Sequence, residues 1–382
     1  MNYTGTGDGV QADSYLYVDG GNFDFTTSGT YQAYSSSLIS SGDYISDDFK
    51  YAKNSNGTYY KVDSEQRGRS GTYALQESVK GFKVGAIDQE NSTTEIEINS
   101  QKYYVAITNA TMNLNTDDDG IHVNLGYANI SKSKITCTTL DQPISSDGPL
   151  TMTNLALTVP SCYEGLQGSS INIKGSNTDI NITSSDDGMN ATSDYVSSDQ
   201  DFYAEILTID EGKIRVNADG DGLDSNGSMV INGGDILIQA SSSSGDSPLD
   251  SASSRENTRN NGIYINGGTL MASGTSGMLE SPQTTSLQNT IVYAGTTLSA
   301  GSVISLKDSS GTVLVSNTIT KSANAAVITS PYITTGSTYS VYVNDELKNS
   351  AAVSSIVTTI GSYSSGNTGG PGGGGGFNPG RP

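Results

Sequence analysis

A repeat of 22 to 23 residues constrains the fold of this chain more than any other feature of its sequence. A glycine or proline followed by an apolar residue recurs as an anchor, and successive anchors are 23, 22, 23, 34, 26 and 29 residues apart. These anchors are Gly120-Ile121, Pro143-Ile144, Gly165-Leu166, Gly188-Met189, Gly222-Leu223, Pro248-Leu249 and Gly277-Met278, with Gly9-Val10 and Gly81-Phe82 before them at longer spacing. A short period with occasional enlargement indicates one small unit repeated along the chain, with loops inserted in some copies.

Each repeat contains short runs in which apolar and polar residues alternate, joined by turns of asparagine and glycine. One example is Met229–Ile231, followed by Asn232–Gly234 and then Ile236–Ile238. An alternation of period two predicts β-strands, not helices. Three short strands per unit, stacked at roughly 4.8 Å, predict an all-β fold, a right-handed parallel β-helix. A leucine-rich repeat has a similar period but requires a dense leucine ladder that this chain lacks.

Changes in periodicity predict how the chain is divided. We expect a parallel β-helix over residues 1–290, a C-terminal antiparallel β cap over 291–363 and a disordered glycine-rich tail over 364–382. The cap is expected to cover the open end of the coil stack. Insertions into the β-helix are predicted at 30–79, 193–205 and 241–260. Loops inserted in a repeat fold tend to gather on one face, which is often the binding face.

The charge balance excludes several classes of function. Nineteen lysines and arginines against 40 aspartates and glutamates give a formal net charge of −21 at pH 7, which would repel nucleic acid. No apolar stretch is long enough for a membrane-spanning helix, so we expect no membrane insertion. The first residues do not form a signal peptide, and we expect a monomeric protein, secreted or displayed at the cell surface, that begins after a removed leader.

Cysteine and histidine are too scarce to carry most metal or nucleophile chemistry. Cys137 and Cys162 are either two buried thiols or a disulfide between neighbouring repeats. One histidine and two separated cysteines argue against a zinc site. A catalytic triad could use only His122, which occupies a repeat position held elsewhere by serine, glutamine, asparagine and aspartate. The sequence therefore assigns no catalytic residue.

Acidic residues recur at fixed distances from the anchors. The position two before the apolar anchor residue holds Asp8, Asp119, Gln142, Glu164, Asp187 and Asp221, and the position one after it holds Gln11, His122, Ser145, Gln167, Asn190, Asp224 and Asp250. Equivalent positions stack in a β-helix, so carboxylates would lie about one strand spacing apart, which is costly unless a cation lies between them. The alternative is that these acids are turn residues on a solvated surface.

Calcium suits such a column, because it binds about six to eight oxygens from carboxylates, amides and carbonyls in a flexible geometry. The segment 219–226 alone offers four side-chain oxygen donors, although it lacks the pattern of an EF-hand loop. The predicted Ca²⁺ ligands are Asp117, Asp118, Asp119, Glu164, Asp186, Asp187, Asn190, Asp219, Asp221, Asp224 and Asn226.

The same motifs carry a family resemblance. The segments Asp119–His122, Tyr163–Gly168, Ser185–Ala191 and Gly220–Gly227 resemble the clostridial-type secreted β-helix carbohydrate-binding proteins, a calcium-containing family similar to pectate lyases. The resemblance extends from about residue 7 to about residue 360 and includes the glycine-rich tail. It implies binding of acidic plant polysaccharide such as polygalacturonate in pectin, and of cellulose. The insertion at 30–79 departs from the motif pattern, so the resemblance implies no binding surface there.

Three functions remain open at this stage. The first is calcium-dependent carbohydrate binding without catalysis, in which calcium bridges protein and sugar carboxylates. Tyrosines in the insertions could stack on sugar rings, and a basic patch could hold an acidic glycan without calcium. The carbohydrate-binding candidates are Tyr59, Tyr60, Arg67, Arg69, Lys80 and Lys83.

The second function is β-elimination of the pectate-lyase type, and the third is a structural or adhesive surface protein stabilised by calcium. Elimination needs a base of lowered pKa beside calcium, for which Lys80, Lys83, Lys213 and Arg215 are candidates. No basic residue lies inside the acidic motifs themselves, which favours binding over catalysis. A structural protein would respond to calcium but would bind no glycan.

Overall fold

The computed structural model is all-β. It describes residues 1–29, 31–33, 51–53, 59–61, 73–75, 79–85, 103–193, 204–242, 245–252 and 261–361. These residues form 31 strands and no α-helix. Within the same ranges, no helix is long and apolar enough to cross a membrane.

Twenty-three of the strands belong to one large, mostly parallel sheet. The strands in the first half of the chain are β1 (Asn2–Gly5), β2 (Val10–Ala12), β3 (Tyr15–Thr27), β4 (Tyr31–Ala33), β5 (Tyr51–Lys53), β6 (Tyr59–Lys61), β7 (Tyr73–Leu75), β8 (Phe82–Val84), β9 (Tyr104–Thr116), β10 (Ile121–Val123), β11 (Tyr127–Ser131), β12 (Lys134–Thr139), β13 (Ile144–Thr153), β14 (Ala156–Cys162), β15 (Leu166–Lys174), β16 (Asp179–Ser184) and β17 (Met189–Ala191). Those that follow are β18 (Ile206–Ile209), β19 (Lys213–Ala218), β20 (Asp224–Ser225), β21 (Ser228–Ile231), β22 (Asp235–Gln239), β23 (Ile263–Ile265), β24 (Thr269–Gly274), β25 (Thr290–Leu298), β26 (Val303–Asp308), β27 (Val313–Thr318), β28 (Ala323–Thr329), β29 (Thr338–Val343), β30 (Glu346–Ala352) and β31 (Val357–Gly361).

The parallel strands line up in three ladders. The first ladder contains β2, β8, β10, the start of β13, the start of β15, β17 and β20. The second contains the starts of β3 and β9, then β11, the ends of β13 and β15, β18, β21 and β23. The third contains β1, the ends of β3 and β9, then β12, β14, β16, β19, β22 and β24. The pairing defines a mostly parallel sheet, while the closed, right-handed β-helix stays a prediction.

The register of the first ladder confirms the repeat alignment. The apolar anchor residues pair in order, as Val10, Phe82, Ile121, Ile144, Leu166 and Met189, and Leu223 pairs with Leu249. The last anchor, Gly277-Met278, is wrong: Met278 is 40% exposed, and its neighbour Leu279 is buried instead. The reason is that β24 pairs next with the antiparallel strand β28, so the parallel ladder does not continue there.

The core consists of one buried side chain from every second strand position. In β9 the buried residues include Val105, Ile107, Ala110, Met112 and Leu114, and the positions between them are partly or fully exposed. Burying an aliphatic side chain of this size stabilises a fold by about 1.5–3 kcal/mol. The predicted alternation is therefore confirmed, and it explains how a chain with 34% hydrophobic residues can fill a narrow interior.

The two cysteines are free thiols buried in this core. Burial raises the pKa of Cys137, and the nearby thiol of Cys162 raises it further. Of the two readings of the sequence, the structure therefore contains the thiol pair and not the disulfide.

The strands after residue 290 are largely antiparallel. Strands β27, β26, β29 and β30 form a four-stranded antiparallel sheet, which confirms the antiparallel strands predicted within the region 291–363. Its side chains belong to a second core that includes Ile304, Leu306 and Val341.

The domain division stays a prediction. The insertions at 30–79 and 193–205 lie largely outside the described residues, half of the insertion at 241–260 does, and the tail at 364–382 lies wholly outside them. Within the first insertion, only the backbone pairs β4 with β7 and β5 with β6 are described.

Candidate functional site

Two columns of polar side chains flank the anchors of the first ladder. Most successive members of the first column are joined through the backbone, since the glycine after each one donates its N–H to the carbonyl of the equivalent residue in the next repeat. Pro143 has no N–H, so Gln142 is joined to Glu164 through its side chain instead. The first polar column contains Asp8, Lys80, Asp119, Gln142, Glu164, Asp187, Asp221 and Ser247. The second polar column contains Gln11, Lys83, His122, Ser145, Gln167, Asn190 and Asp224, paired in that order.

Carboxylates of the first polar column also accept backbone hydrogen bonds from the next coil. The acceptor–donor pairs are Asp8 Oδ1 with Lys80 N at 2.8 Å, Asp119 Oδ1 with Gln142 N at 3.1 Å, Asp187 Oδ1 with Asp221 N at 2.7 Å, and Asp221 Oδ1 with Ser247 N. A hydrogen bond to an ionised acceptor is stronger than a neutral one. These bonds fix one oxygen of each carboxylate and leave the other to interact with neighbouring groups.

Near the N-terminal end of the column, a lysine neutralises the acids. Lys80 Nζ lies 3.0 Å from Asp118 Oδ1 and 2.5 Å from Asp119 Oδ2, and the lysine is only 1% exposed. His122 Nδ1 lies 3.1 Å from Asp119 Oδ2 and 2.6 Å from Ser145 Oγ. Aspartate and serine thus meet the same ring nitrogen, whereas a catalytic triad places them on opposite nitrogens.

Further along the column, three carboxylates follow one another without a basic neighbour in the column. They belong to Glu164, Asp187 and Asp221 on successive coils. Carboxylate oxygens of Asp187, Asp221 and Asp224 all lie within 4.8 Å of one another. Among the described residues, no lysine or arginine forms an ion pair with Asp187 or Asp221.

The crowding of like charges raises the pKa values of the carboxylates in this cluster. Burial, and then the neighbouring Asp187 carboxylate, raises the pKa of Asp221 to about 9. Burial also raises the pKa of Asp187 well above its usual range, and the charges of Asp224 and Asp186 raise it further. A positive charge placed among these oxygens would relieve both the desolvation and the repulsion.

Asn190 provides a further oxygen beside this cluster. It lies between Gln167 and Asp224 in the second polar column, and its buried Oδ1 has no hydrogen-bond partner among the described residues. Buried polar atoms normally have a partner. A set of carboxylates with an unpartnered amide oxygen fits a hard cation such as Ca²⁺.

The remaining predicted metal ligands do not join this cluster as a single site. Asp118 and Asp119 are in the lysine cluster, and Asp117 Oδ2 accepts a hydrogen bond from Gly29 N at 3.1 Å. Asp219 lies at the surface, 2.7 Å from Lys321 Nζ. Asn226 Nδ2 donates to Thr192 Oγ1 at 2.5 Å.

Two further predicted ligands lie next to the cluster. Glu164 Oε2 accepts a hydrogen bond from Gln142 Nε2 at 3.2 Å, one coil away from Asp187. Asp186 precedes Asp187, and burial raises its pKa while a hydrogen bond with Tyr163 lowers it. Both could extend the oxygen set towards the middle of the column.

The predicted sugar contacts are only partly visible. The side chains of Tyr59 and Tyr60, and all of Arg67 and Arg69, lie outside the described residues. Lys80 directs its ammonium to two buried carboxylates, and Lys83 is 9% exposed beside His122 in the second polar column.

The other two lyase candidates, Lys213 and Arg215, lie in the third ladder. There they pair with Asp179 at 4.0 Å and with Asp235 at 2.6 Å. They therefore stand on a different ladder from the acidic cluster.

Sequence reasoning did not place three residues in the acidic site: Ser247 and Asp246 were not predicted, and Lys80 was predicted only as a sugar contact or a base. Lys80 belongs to the first polar column because Gly81-Phe82 is an anchor, and Ser247 belongs to it because Pro248-Leu249 is one. Applying the same offset to every anchor would have found both. Asp246 raises the pKa of Asp186 and Asp187 through its charge, and it has no equivalent in the predicted set.

A small polar cleft lies beside the second polar column. Hydroxyl and amide groups dominate its walls, which suits the hydroxyls of a sugar better than an apolar ligand. It is lined by His122, Ser145, Ser146, Asp147, Gln167, Thr192 and Ser193.

Comparison with protein families points to a carbohydrate ligand. Residues 134–302 match a family described as carbohydrate-binding domain-containing protein. Comparisons with curated proteins and with solved structures found no match. The matched segment includes Glu164, Asp187, Asn190, Asp221 and Asp224, and excludes the Lys80 cluster. The match supports carbohydrate binding.

Proposed function

We propose that the protein is a non-catalytic, calcium-dependent carbohydrate-binding protein that recognises acidic polysaccharide of the polygalacturonate class. The observation that carries the proposal is the run of three carboxylates, Glu164, Asp187 and Asp221, on successive coils of one column. Such a run is costly in the absence of a cation. The proposal is consistent with the carbohydrate-binding family matched by residues 134–302.

Asp187, Asp221, Asp224 and Asn190 are the residues that would hold Ca²⁺. They supply carboxylate and amide oxygens from two neighbouring repeats. Calcium binds more oxygens than four side chains readily provide. A sugar carboxylate could therefore complete the coordination, and this would join an anionic polymer to a chain of net charge −21.

The polar cleft supports the same ligand. Gln167 lines the cleft and is the register neighbour of Asn190, so the cleft lies directly alongside the proposed cation site. Gln167 follows the buried Ser145 in the second polar column, is itself only half-buried, and offers an amide that hydrogen-bonds to sugar hydroxyls. A galacturonate chain laid along the column would meet the cation with its carboxylate and the cleft with its hydroxyls.

The proposed architecture is a right-handed parallel β-helix closed by an antiparallel C-terminal cap, acting outside the cell. Three parallel ladders with a repeat of 22 to 23 residues support the β-helix. In such a fold the two polar columns run along the solenoid axis. A linear polymer could then follow the axis and meet equivalent residues coil after coil.

The direct test is affinity electrophoresis in gels containing polygalacturonate, with calcium or with excess chelator. We expect retardation in calcium, no retardation in chelator and resistance to moderate salt, because a calcium bridge is short-ranged while a basic patch is screened by salt. The exposed acid Asp219 provides the matched control: Asp219→Asn should bind as the parent does, and Asp221→Asn should not.

Two results would contradict this function. Retention that survives chelation but weakens steeply with salt would indicate a basic patch. A rise in ultraviolet absorbance from unsaturated oligogalacturonides during incubation would indicate a lyase.

A further inference from the structure

Tyrosines form an exposed stack on the second ladder, away from the polar columns. Tyr15, Tyr104 and Tyr127 pair in register at the starts of β3, β9 and β11. Their rings stack with centroids 5.3 and 5.5 Å apart and interplanar angles of 11° and 13°. The stack is therefore an ordered arrangement of rings, fixed by three strands rather than by a loop.

One end of this stack is open to solvent. Tyr15 is 60% exposed and Tyr17, two residues further on the same strand face, is 61% exposed. Tyr104 covers one side of the Tyr15 ring, while Tyr17 has the small residue Ala106 as its register neighbour. β1 pairs only with Asp24–Thr27 of β3, so among the described strands none lies alongside Tyr15 and Tyr17 on the outer side. Two large rings thus present uncovered surface side by side.

The rim of this surface is polar, and within the three strands it carries no positive charge. Outward positions of the strands hold Asp19, Thr108, Asn129 and Ser131, and no lysine or arginine is among the outward positions of β3, β9 and β11. Asp19 accepts a hydrogen bond from Asn109 Nδ2 at 2.8 Å, and the nearest lysine in sequence, Lys132, follows the end of β11. With one basic side chain at its edge and a net charge of −21 on the protein, this surface suits a neutral polymer better than a polyanion.

We infer that Tyr15 and Tyr17, supported by Tyr104 and Tyr127, form a second glycan-contact surface that binds neutral polysaccharide by ring stacking without a metal. A tyrosine ring offers an apolar body and a hydroxyl tip, which match the C–H face and the hydroxyls of a neutral pyranose. The rim residues Thr108, Asn129 and Ser131 offer further hydrogen bonds to those hydroxyls. This inference rests on the proposed carbohydrate-binding function but uses a different ladder and a different physical interaction.

The test is isothermal titration of the full chain with soluble mixed-linkage β-glucan. Tyr15→Ala/Tyr17→Ala should weaken binding by about tenfold or more, because two stacking contacts are lost. Tyr15→Phe/Tyr17→Phe keeps the rings and should retain most of the affinity. Tyr332→Ala is the matched control, since Tyr332 is 71% exposed and lies outside the stack.

The outcomes separate this inference from the function on which it rests. Binding of polygalacturonate but not of β-glucan would overturn the tyrosine surface and leave the proposed function standing. Equal β-glucan affinity for the alanine variant and the parent would overturn it as well, as would a parent chain that dimerises through this face and loses the dimer in the alanine variant. Binding of neither glycan would overturn the proposed function itself.

Discussion

Two acidic clusters occupy equivalent positions of the repeat and solve the same electrostatic problem differently. At one of them, the ammonium of Lys80 lies between Asp118 and Asp119 and is buried with them. At the other, Asp187, Asp221 and Asp224 gather their oxygens within 4.8 Å, and the described residues supply no lysine or arginine to Asp187 or Asp221. The first cluster has its counter-charge within the chain. In the second cluster, the pKa values of Asp187 and Asp221 are strongly raised.

The comparison teaches that the same motif can serve stability or binding, depending on its column neighbour. Asp118-Asp119-Gly120 and Asp186-Asp187-Gly188 are identical in sequence. Lys80 precedes Asp119 in the first polar column, whereas Glu164 precedes Asp187. The ammonium of Lys80 is part of the chain and fully engaged with the carboxylates. A metal ion taken up from solution could bind the carboxylates and a ligand at the same time. We therefore expect the two clusters to respond in opposite ways to mutation and to metal.

The largest effect should come from removing the built-in cation. Lys80→Met would leave two buried carboxylates without their counter-charge, and breaking a buried ion pair in this way costs about 3–5 kcal/mol. Urea denaturation monitored by circular dichroism measures the loss. Lys213→Met is the matched control, because Lys213 is exposed and 4.0 Å from Asp179, and it should cost under about 1 kcal/mol. Equal, small losses in both variants would remove the distinction between the clusters.

Calcium removal should have the next largest effect and should act only through the second cluster. A ligand at about 100 times its Kd stabilises the folded state by about 2.7 kcal/mol, so excess chelator should lower the Tm by several degrees. Asp187→Ala and Asp221→Ala should each remove part of this response, while Asp117→Ala should leave it unchanged. Differential scanning calorimetry with metal analysis provides the measurement. Identical melting curves with and without chelator, from a protein that contains no metal, would refute the calcium proposal.

Acidification should stabilise the metal-free protein through the same cluster. The pKa of Asp221 is raised to about 9 in the folded chain, against about 3.9 for an unfolded aspartate. The folded state therefore holds this proton more tightly than the unfolded state does. Protonation of Asp221 contributes its full share to the free energy of unfolding below about pH 4, and that share is lost as the pH rises through 9. In chelator, the Tm of the parent should thus fall below that of Asp221→Asn, by a margin that grows from pH 5 to pH 8. Calcium should abolish that growth, and its persistence in calcium would place the cation elsewhere.

The smallest effect is expected at the acid of the motif that lies at the surface. Asp219 forms an exposed pair with Lys321 at 2.7 Å, and pairs of this kind contribute about 0.2–1 kcal/mol. Asp219→Asn should lower the free energy of unfolding by no more than that and should leave the calcium response intact. A loss of the calcium response in this variant would extend the site to Asp219 and blur the comparison.

Much of this geometry could be predicted from the sequence, because parallel stacking converts a fixed repeat into a fixed register. The anchors and the second polar column follow from counting residues, and only Met278 breaks the pattern, where the parallel ladder ends. The sequence did not reveal which DDG motif is neutralised within the chain. That depends on Lys80, which stands 38 residues before Asp118, more than one repeat away. Tyr104 and Tyr127 stand one repeat of 23 residues apart, so their stacking could have been predicted, whereas Tyr15 stands 89 residues before Tyr104.

The hydrogen bond from Asp221 N to Asp187 Oδ1 has a consequence for how such a protein can change over generations. Its length is 2.7 Å, although 34 residues separate the two partners where neighbouring repeats need 22 or 23. The hydrogen bond therefore does not depend on the length of the loop between Asp187 and Asp221. New loops can therefore be acquired, lengthened or exchanged while the first polar column keeps its geometry. A single residue deleted within a strand would instead shift every side chain to the opposite face. Insertions and deletions are therefore tolerated in the loops between repeats and not within the strands. Variation in ligand preference would accumulate in those loops.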